Sequence, residues 1–407
     1  MTAAPTLLRR PAPNGAASWL TWSTPPVVAW VAATLLTWAV ARATDVAYWS
    51  AAGRERWDST HYLSISRSGY EMFNCWDRAG YKDAGFPDVI CGNVAWFPGY
   101  PMVVRIFSAT GLSYDAAGIL VSELALLGMF FALWWLLGSR LTWSTGLTMA
   151  LGVVFAGGIY FHAVFPIALG TFALLVAVIG VKRGSWLLAG SAGFVAASCH
   201  LVGAVVVGML VLSVFFAWQS DPVRRRVAKA LGSAALAASG VLWATWVMWT
   251  ATGHWDAYEQ INRSSYGQGG LRNPFTEFDD ARKFDFTFPI TPGNDSWLAA
   301  HSTGANHWQL WFNLAFVVLV VAWTGWQLVR DRRLEVEQWA AVLLLGAIFL
   351  MPFLAGAQMS WYRNHAQMFV GLVLLKNLHP AVKLPVLALF AVQYVYLGGM
   401  FFSNVLV

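Results

Sequence analysis

The sequence predicts an all-α, polytopic membrane protein, and three observations carry that expectation. Of 407 residues, 58% are hydrophobic and only 11% are charged, where a soluble domain carries about 25% charged residues. The apolar residues gather into runs, and about 20 consecutive apolar residues suffice to cross a bilayer as a helix. The basic residues fall in short clusters between those runs. The net charge of +6 is therefore a topology signal and gives no reason to expect a nucleic-acid partner. The 24 tryptophans fit the same class, because indole is apolar in body and polar at one edge and so favours membrane interfaces.

Taken in order, the first run extends from about Pro26 to Ala47. Others lie near 115–138, 144–160, 164–181, 185–201, 203–218, 231–251, 309–329, 338–356, 366–378 and 384–405. Eleven spans place every tight basic cluster on one side: Arg9-Arg10, Arg140, Lys182-Arg183, Arg224-Arg225-Arg226 with Lys229, Arg330 with Arg332-Arg333, and Lys376 with Lys383. Basic residues stay cytoplasmic, so the expected arrangement is N-terminus in and C-terminus out. Arg9-Arg10 lies far ahead of the first run, which lacks a small-residue cleavage site, so no cleavable signal peptide is expected. Residues 1–407 read as a single transmembrane domain. The excess of Arg over Lys suggests a bacterial protein, hence a multi-pass protein of the plasma membrane.

The outer side then receives two long loops, 48–113 and 252–308. Loops of that length in compact proteins are usually functional. Residues Met102 to Phe107 predict a short helix along the interface. Cys75 and Cys91 share the first loop, where an oxidising outer face permits a disulfide. Its closure would contribute about 3 kcal/mol in the chain-entropy model; the alternative is two free thiols. No close His/Cys pair suggests zinc. Asp279-Asp280 is an adjacency and not a ligand set, and dependence on a divalent metal stays open.

The segment richest in chemistry is Arg56-Trp57-Asp58-Ser59-Thr60-His61-Tyr62, continuing to Gly69-Tyr70. In a helix, Asp58, His61, Tyr62 and Ile65 share one face. A carboxylate, an imidazole and a phenol can take a proton from a sugar hydroxyl, orient it and stack on its ring. The bland alternative is that Asp58 caps a short interfacial helix anchored by Tyr62. Glu123 falls inside the second span, where a carboxylate is costly and is either functional or held by hydrogen bonds. His162 and His200 read as interfacial residues near outer helix ends, and the Phe97–Pro101 segment as a rigid turn. No Walker-type glycine loop is present.

The stretch WDSTHYLSISRSGY, followed by AWFPGYP (Ala95 to Pro101), resembles the PIG-V family, the mannosyltransferases named for the second mannose of GPI anchors. Trp57, Asp58, His61, Tyr62, Ile65, Gly69 and Tyr70 match the first motif; Trp96, Phe97, Pro98, Gly99, Tyr100 and Pro101 match the second. Ser66 stands where the family usually has Ala. Weaker echoes are Asp256-Ala257-Tyr258-Glu259-Gln260 and Ser360-Trp361-Tyr362-Arg363. The strong match covers about fifty residues.

The resemblance implies a GT-C glycosyltransferase fold with its active site in the outer loops. It implies polyprenyl-phosphate-mannose as donor, a lipid or glycan acceptor, and inversion at the anomeric carbon; the eukaryotic members have a helper subunit, and a protein partner for this chain stays open. In that frame Asp58 and His61 are the catalytic candidates, with Asp58 as general base. Trp57, Tyr62, Arg67, Trp96, Tyr100, Gln260, Arg363 and His365 are candidates for holding donor or acceptor, Arg363 first because guanidinium grips phosphate in a fork. The alternatives are a GT-C enzyme using another polyprenyl-phosphate sugar, such as arabinofuranose, and a transporter, which would place its binding groups near the bilayer midplane.

Overall fold

The computed structural model describes residues 16–267, 269–283, 297–298, 305–356 and 361–404. The described chain is helical apart from one small hairpin. In chain order the helices are α1 (Ala16–Arg42), α2 (Ala51–Arg54), α3 (Ser59–Ser68), α4 (Ala79–Asp83), α5 (Gly99–Ser108), α6 (Tyr114–Leu136), α7 (Trp143–Val153) and α8 (Ile167–Lys182). There follow α9 (Trp186–Cys199), α10 (Val205–Phe216), α11 (Val223–Thr252), α12 (Ala257–Tyr266), α13 (Pro274–Lys283), α14 (Ala305–Asp331), α15 (Val336–Leu354), α16 (Trp361–Ala366) and α17 (Pro380–Phe402).

Six of these, α1, α6, α11, α14, α15 and α17, contain a stretch long and apolar enough to cross a membrane. At the other five expected spans the described chain forms shorter helical segments, none long enough to cross by itself. α7 has 11 residues, α8 has 16, α9 has 14 and α10 has 12; residues Gln367–Leu375 form a 3₁₀ helix of 9. At 1.5 Å per residue, 14 residues rise only about 21 Å, short of a hydrocarbon core of about 30 Å. Two irregular stretches are covered by protein: residues 155–168, between α7 and the start of α8, are all buried, and so are 367–375. Irregular backbone at membrane depth is tolerated where protein covers it.

Small residues set the closest helix contacts. α9 carries Gly190 and Gly193 against α11, where an added Cβ on Gly193 would lie 2.6 Å from that of Ala237. Gly240 answers from α11, its would-be Cβ 2.4 Å from the Phe194 carbonyl oxygen. Helices in lipid associate by such close packing, because apolar burial alone does not separate a helix partner from a lipid tail.

The first long loop is ordered. β1 (Met72–Asn74) and β2 (Ile90–Gly92) pair antiparallel with Phe73 opposite Cys91, and Cys75 is bonded to Cys91. Asn93 fastens this hairpin to α3: its Nδ2 donates to the Gly69 carbonyl at 3.0 Å and its Oδ1 accepts from Glu71 N at 2.9 Å. The predicted interfacial helix is α5, which begins three residues earlier, at Gly99.

Below the loop lies a charged knot. Glu123 of α6 accepts from Trp30 Nε1 at 2.8 Å, pairs with Arg54 of α2, and faces His162 Nδ1 at 3.1 Å. The Tyr48 hydroxyl adds a contact at 3.1 Å to His162, and Arg54 also donates to the His162 carbonyl. The costly intramembrane carboxylate is thus held from several sides. It ties α2, four residues ahead of Asp58, to α6.

Candidate active site

The turn between α2 and α3 aims Asp58. Trp57 adopts a left-handed conformation, φ 49°, which non-glycine residues rarely take. Ser59 is fully buried and its hydroxyl accepts from Arg56 N at 3.0 Å. Asp58 occupies the N-cap position of α3 and makes no side-chain cap hydrogen bond, which removes the bland capping role. Its carboxylate instead pairs with Arg363 of α16, 305 residues along the chain.

The pair sits in a cavity of about 180 Å³ whose wall includes His61, Trp96, His200, Tyr258 and Asn262. The His61 imidazole stacks on Trp96, centroids 3.7 Å apart and planes 10° from parallel. Burial lowers the pKa of His61 from its ordinary value, against the pull of Asp58 and Glu71. Burial and then Arg363 hold His200 down at about 3. His200 Nδ1 accepts from Val202 N at 3.2 Å, so its ring proton is on Nε2. The site thus joins a carboxylate and a guanidinium to two imidazoles that are neutral at pH 7. Burial also pushes the Tyr258 and Tyr266 phenols up to about 12, keeping them protonated donors.

A second cleft of about 340 Å³ adjoins this cavity, sharing Leu201, Tyr258, Asn262, Met351 and Ala355 with it. Its lining is mainly apolar and reaches Leu271, which is 90% exposed, and Leu354. The polar end of one continuous groove holds Asp58, and the apolar end opens outward.

The AWFPGYP stretch builds the wall behind Asp58 residue by residue. Trp96 supports His61, and Phe97 packs edge-on to Tyr258 at 5.2 Å. Gly99 lies against α9, where a Cβ would come within 2.6 Å of the Ser198 backbone. The Tyr100 hydroxyl donates to the Gly118 carbonyl at 2.8 Å and meets Ser122 Oγ at 3.0 Å. Ser66, the departure from the family pattern, donates to the Pro101 carbonyl at 3.1 Å and so binds α3 to α5. Tyr70 donates to the Trp96 carbonyl at 2.6 Å. The expected rigid turn is in fact the start of α5.

Of the residues singled out in sequence, Asp58, His61, Tyr62, Trp96 and Arg363 share the cavity. Tyr62 contributes an edge only: it is 3% exposed, and its ring packs on Tyr100 and Phe165, both at 5.9 Å. It therefore has no open face for a sugar ring. Five residues are placed elsewhere. Arg67 pairs with Asp115 at an exposed site. Tyr100 is fully buried in the helix contact just described. Gln260 donates to Asp256 Oδ1 at 2.7 Å. His365 is fully buried, stacked on Phe349, with Nε2 3.0 Å from the Phe349 carbonyl and Nδ1 3.2 Å from Asn313. Trp57 is half-buried against the core and does not line the cavity. Ser360, in the weaker echo, lies outside the described residues.

Sequence reasoning passed over Tyr266, Asn262 and Asn364 and gave His200 only an interfacial role, yet all four line the cavity. The signal for His200 was present: a histidine breaking an apolar run at the end of α9. Among the described residues no three His, Cys, Asp or Glu side chains gather as a metal-holding group.

No family model and no curated protein matches the chain. Among solved structures it is similar to the oligosaccharyltransferase of Archaeoglobus fulgidus in its apo form, with a TM-score of 0.45 and 12% identity. The similarity covers 93% of this chain and 56% of that one, so the chain spans a little over half the length of that protein.

Proposed function

We propose that this protein is a membrane glycosyltransferase of the GT-C type. It would move mannose from polyprenyl-phosphate-mannose to a lipid or glycan acceptor on the extracytoplasmic face, with inversion. The observation that carries this reading is the placement of Asp58: at the N-cap of α3 but with its carboxylate paired to Arg363, in a cavity that continues into an apolar cleft. A lipid-linked sugar has that same division, a polar head and a long apolar chain.

In this reading the acceptor hydroxyl oxygen attacks the anomeric carbon and its proton passes to Asp58. The bond from that carbon to the phosphate oxygen breaks, and polyprenyl phosphate departs. Arg363 receives the phosphate; a guanidinium presents five donors in a planar fork and can bridge a carboxylate and a phosphate at once. That bridge would also hold Asp58 in line. His61 and His200, both neutral, would donate hydrogen bonds to sugar hydroxyls or phosphate without adding charge. The positive-inside pattern supports an outward-facing groove, whose wall takes residues from 58–62, 95–96, 200–202, 258–266 and 351–364.

The test is transfer of radiolabelled mannose from polyprenyl-phosphate-mannose to a membrane-lipid extract by purified protein in nanodiscs. Asp58→Asn should fold normally and lose two or more orders of magnitude in rate, the range of a general base. Full activity in that variant would remove Asp58 from the chemistry. Transfer of arabinofuranose and not mannose by wild type would keep the mechanism and change the sugar.

A further inference from the structure

At the far end of α6 from the Asp58 cavity lies a second, larger cavity of about 770 Å³. Three segments distant in sequence enclose it: the α6–α7 turn, the last turns of α14, and the stretch leading into α17. Its wall includes Arg140, Ser144, Trp323, Trp326, Arg330 and Lys376. Three of the six basic clusters that mark one face of the sequence thus converge on a single hollow. A topology signal requires only that such residues lie on the same side; it does not require them to surround a cavity.

The charge around this cavity is unbalanced. Arg330 pairs with Asp331 at 2.8 Å and Lys376 with Glu335 at 3.3 Å, at half-exposed carboxylates outside the cavity wall. Arg140 has no carboxylate partner among the described residues. Directly behind the wall, Lys383 is fully buried, and its ammonium donates to Ser144 O at 2.8 Å, Ser144 Oγ at 2.6 Å and Thr148 Oγ1 at 2.8 Å. All three acceptors are neutral. A buried cation without an anion is costly, and Ser144, its main partner, also lines the cavity. His379 adds a donor, because its Nδ1 accepts from Ala381 N at 3.2 Å and its ring proton is therefore on Nε2.

The rim is apolar and exposed. Leu141 is 73% and Trp143 82% exposed beside Arg140. Trp323 and Trp326 stack at 4.8 Å, and Arg330 lies 4.3 Å above Trp326. Cations lining a hollow with aromatic and aliphatic side chains at its mouth suit a phosphate that carries acyl chains. Basic pockets between spanning helices on the cytoplasmic side take lipid headgroups on the same physical grounds.

We propose that this cavity is a phosphate-binding site and that the phosphate belongs to an anionic lipid headgroup. The site is separate from the Asp58 groove and stands whether or not the chain is a glycosyltransferase. The headgroup phosphate would neutralise Arg140, share Lys376 with Glu335 and offset the buried charge of Lys383, locking α6, α14 and α17 together at that face.

The test is thermal unfolding of delipidated full-length protein in neutral detergent. Phosphatidylglycerol, phosphatidylcholine and sn-glycerol 3-phosphate are each added separately. Phosphatidylglycerol should raise Tm by several degrees, and the other two should not. In an Arg140→Ala/Lys376→Ala variant, whose residues are exposed or half-exposed, the protein should fold and the phosphatidylglycerol midpoint should weaken about tenfold or more. A Trp76→Ala variant on the opposite face should respond as wild type does. An equal rise with glycerol phosphate would overturn the lipid assignment. No rise with any probe, or an unchanged midpoint in the double variant, would overturn the site.

Discussion

Asp58 is the residue on which sequence and structure converge, for different reasons. Motif spacing marks it in the sequence, and in the structure it forgoes the cap bond to reach Arg363. His200 is the residue that only the structure draws in, and its burial makes a prediction. It has a pKa of about 3 in the fold and an ordinary value of 6.5. Between those values the unfolded chain binds the extra proton, so stability falls as pH drops from about 6.5 toward 3. Above about 6.5 this group has no effect. His200→Asn keeps an acceptor for Val202 N and removes the titration. Thermal unfolding at pH 7.5 and pH 5.5 should therefore show a smaller acid loss in the variant than in wild type. Equal losses would mean that His200 is not buried as a neutral ring. At the same scale, Gly99→Ala pushes a methyl into the Ser198 backbone. It should cost about 1–3 kcal/mol of stability, the usual range for overpacking, measured by chemical unfolding in mixed micelles.

Among the elements, the first long loop shows how a polar segment gains a fixed shape. The hairpin of β1 and β2 is only three pairs long, too short to persist alone. Asn93 and the Cys75–Cys91 bond fasten it. A bridge closing a separation of 16 residues should contribute about 3 kcal/mol. Cys75→Ser/Cys91→Ser should therefore raise hydrogen exchange across residues 72–92, while exchange in α9 and α11 stays slow. Uniformly unchanged exchange would show that Asn93 alone suffices. The same C-terminal turn of α3 is stapled by Arg105, whose guanidinium donates to the Ser66 and Ile65 carbonyls at 2.8 and 3.0 Å. None of this is visible as periodicity, because each contact joins a loop residue to a neighbour tens of positions away.

For the whole molecule, the Glu123 knot couples the membrane body to the outer groove. Glu123→Gln would leave the Arg54 guanidinium, 3% exposed, without its counter-charge. Breaking one side of a buried ion pair costs about 3–5 kcal/mol. The variant should unfold at markedly lower denaturant. An Arg54→Met/Glu123→Gln pair should recover part of the loss, because no charge is then stranded. Since α2 leads directly into the turn that aims Asp58, the rate of the proposed transfer should fall in the single variant even where it remains folded. A rate and stability equal to wild type would show the knot to be idle.

The class of the chain was legible from composition alone: runs of apolar residues separated by basic clusters admit few structures other than stacked membrane helices, because lipid satisfies no backbone group. The position of each of the eleven apolar runs was legible too, since hydropathy is a local property. Their lengths as continuous helices were not, and among the described residues six are long enough to cross by themselves. Local sequence does not reveal whether neighbouring protein will cover a broken helix. The motif located Asp58, His61 and Trp96 for the same local reason. The meeting of Asp58 with Arg363 across 305 residues, the retreat of Tyr100 and His365 into packing, and the gathering of Arg140, Arg330 and Lys376 around one hollow depend on how distant helices pack. Only the tertiary structure decides these, because charge pairing and burial are set by neighbours in space and not by neighbours along the chain.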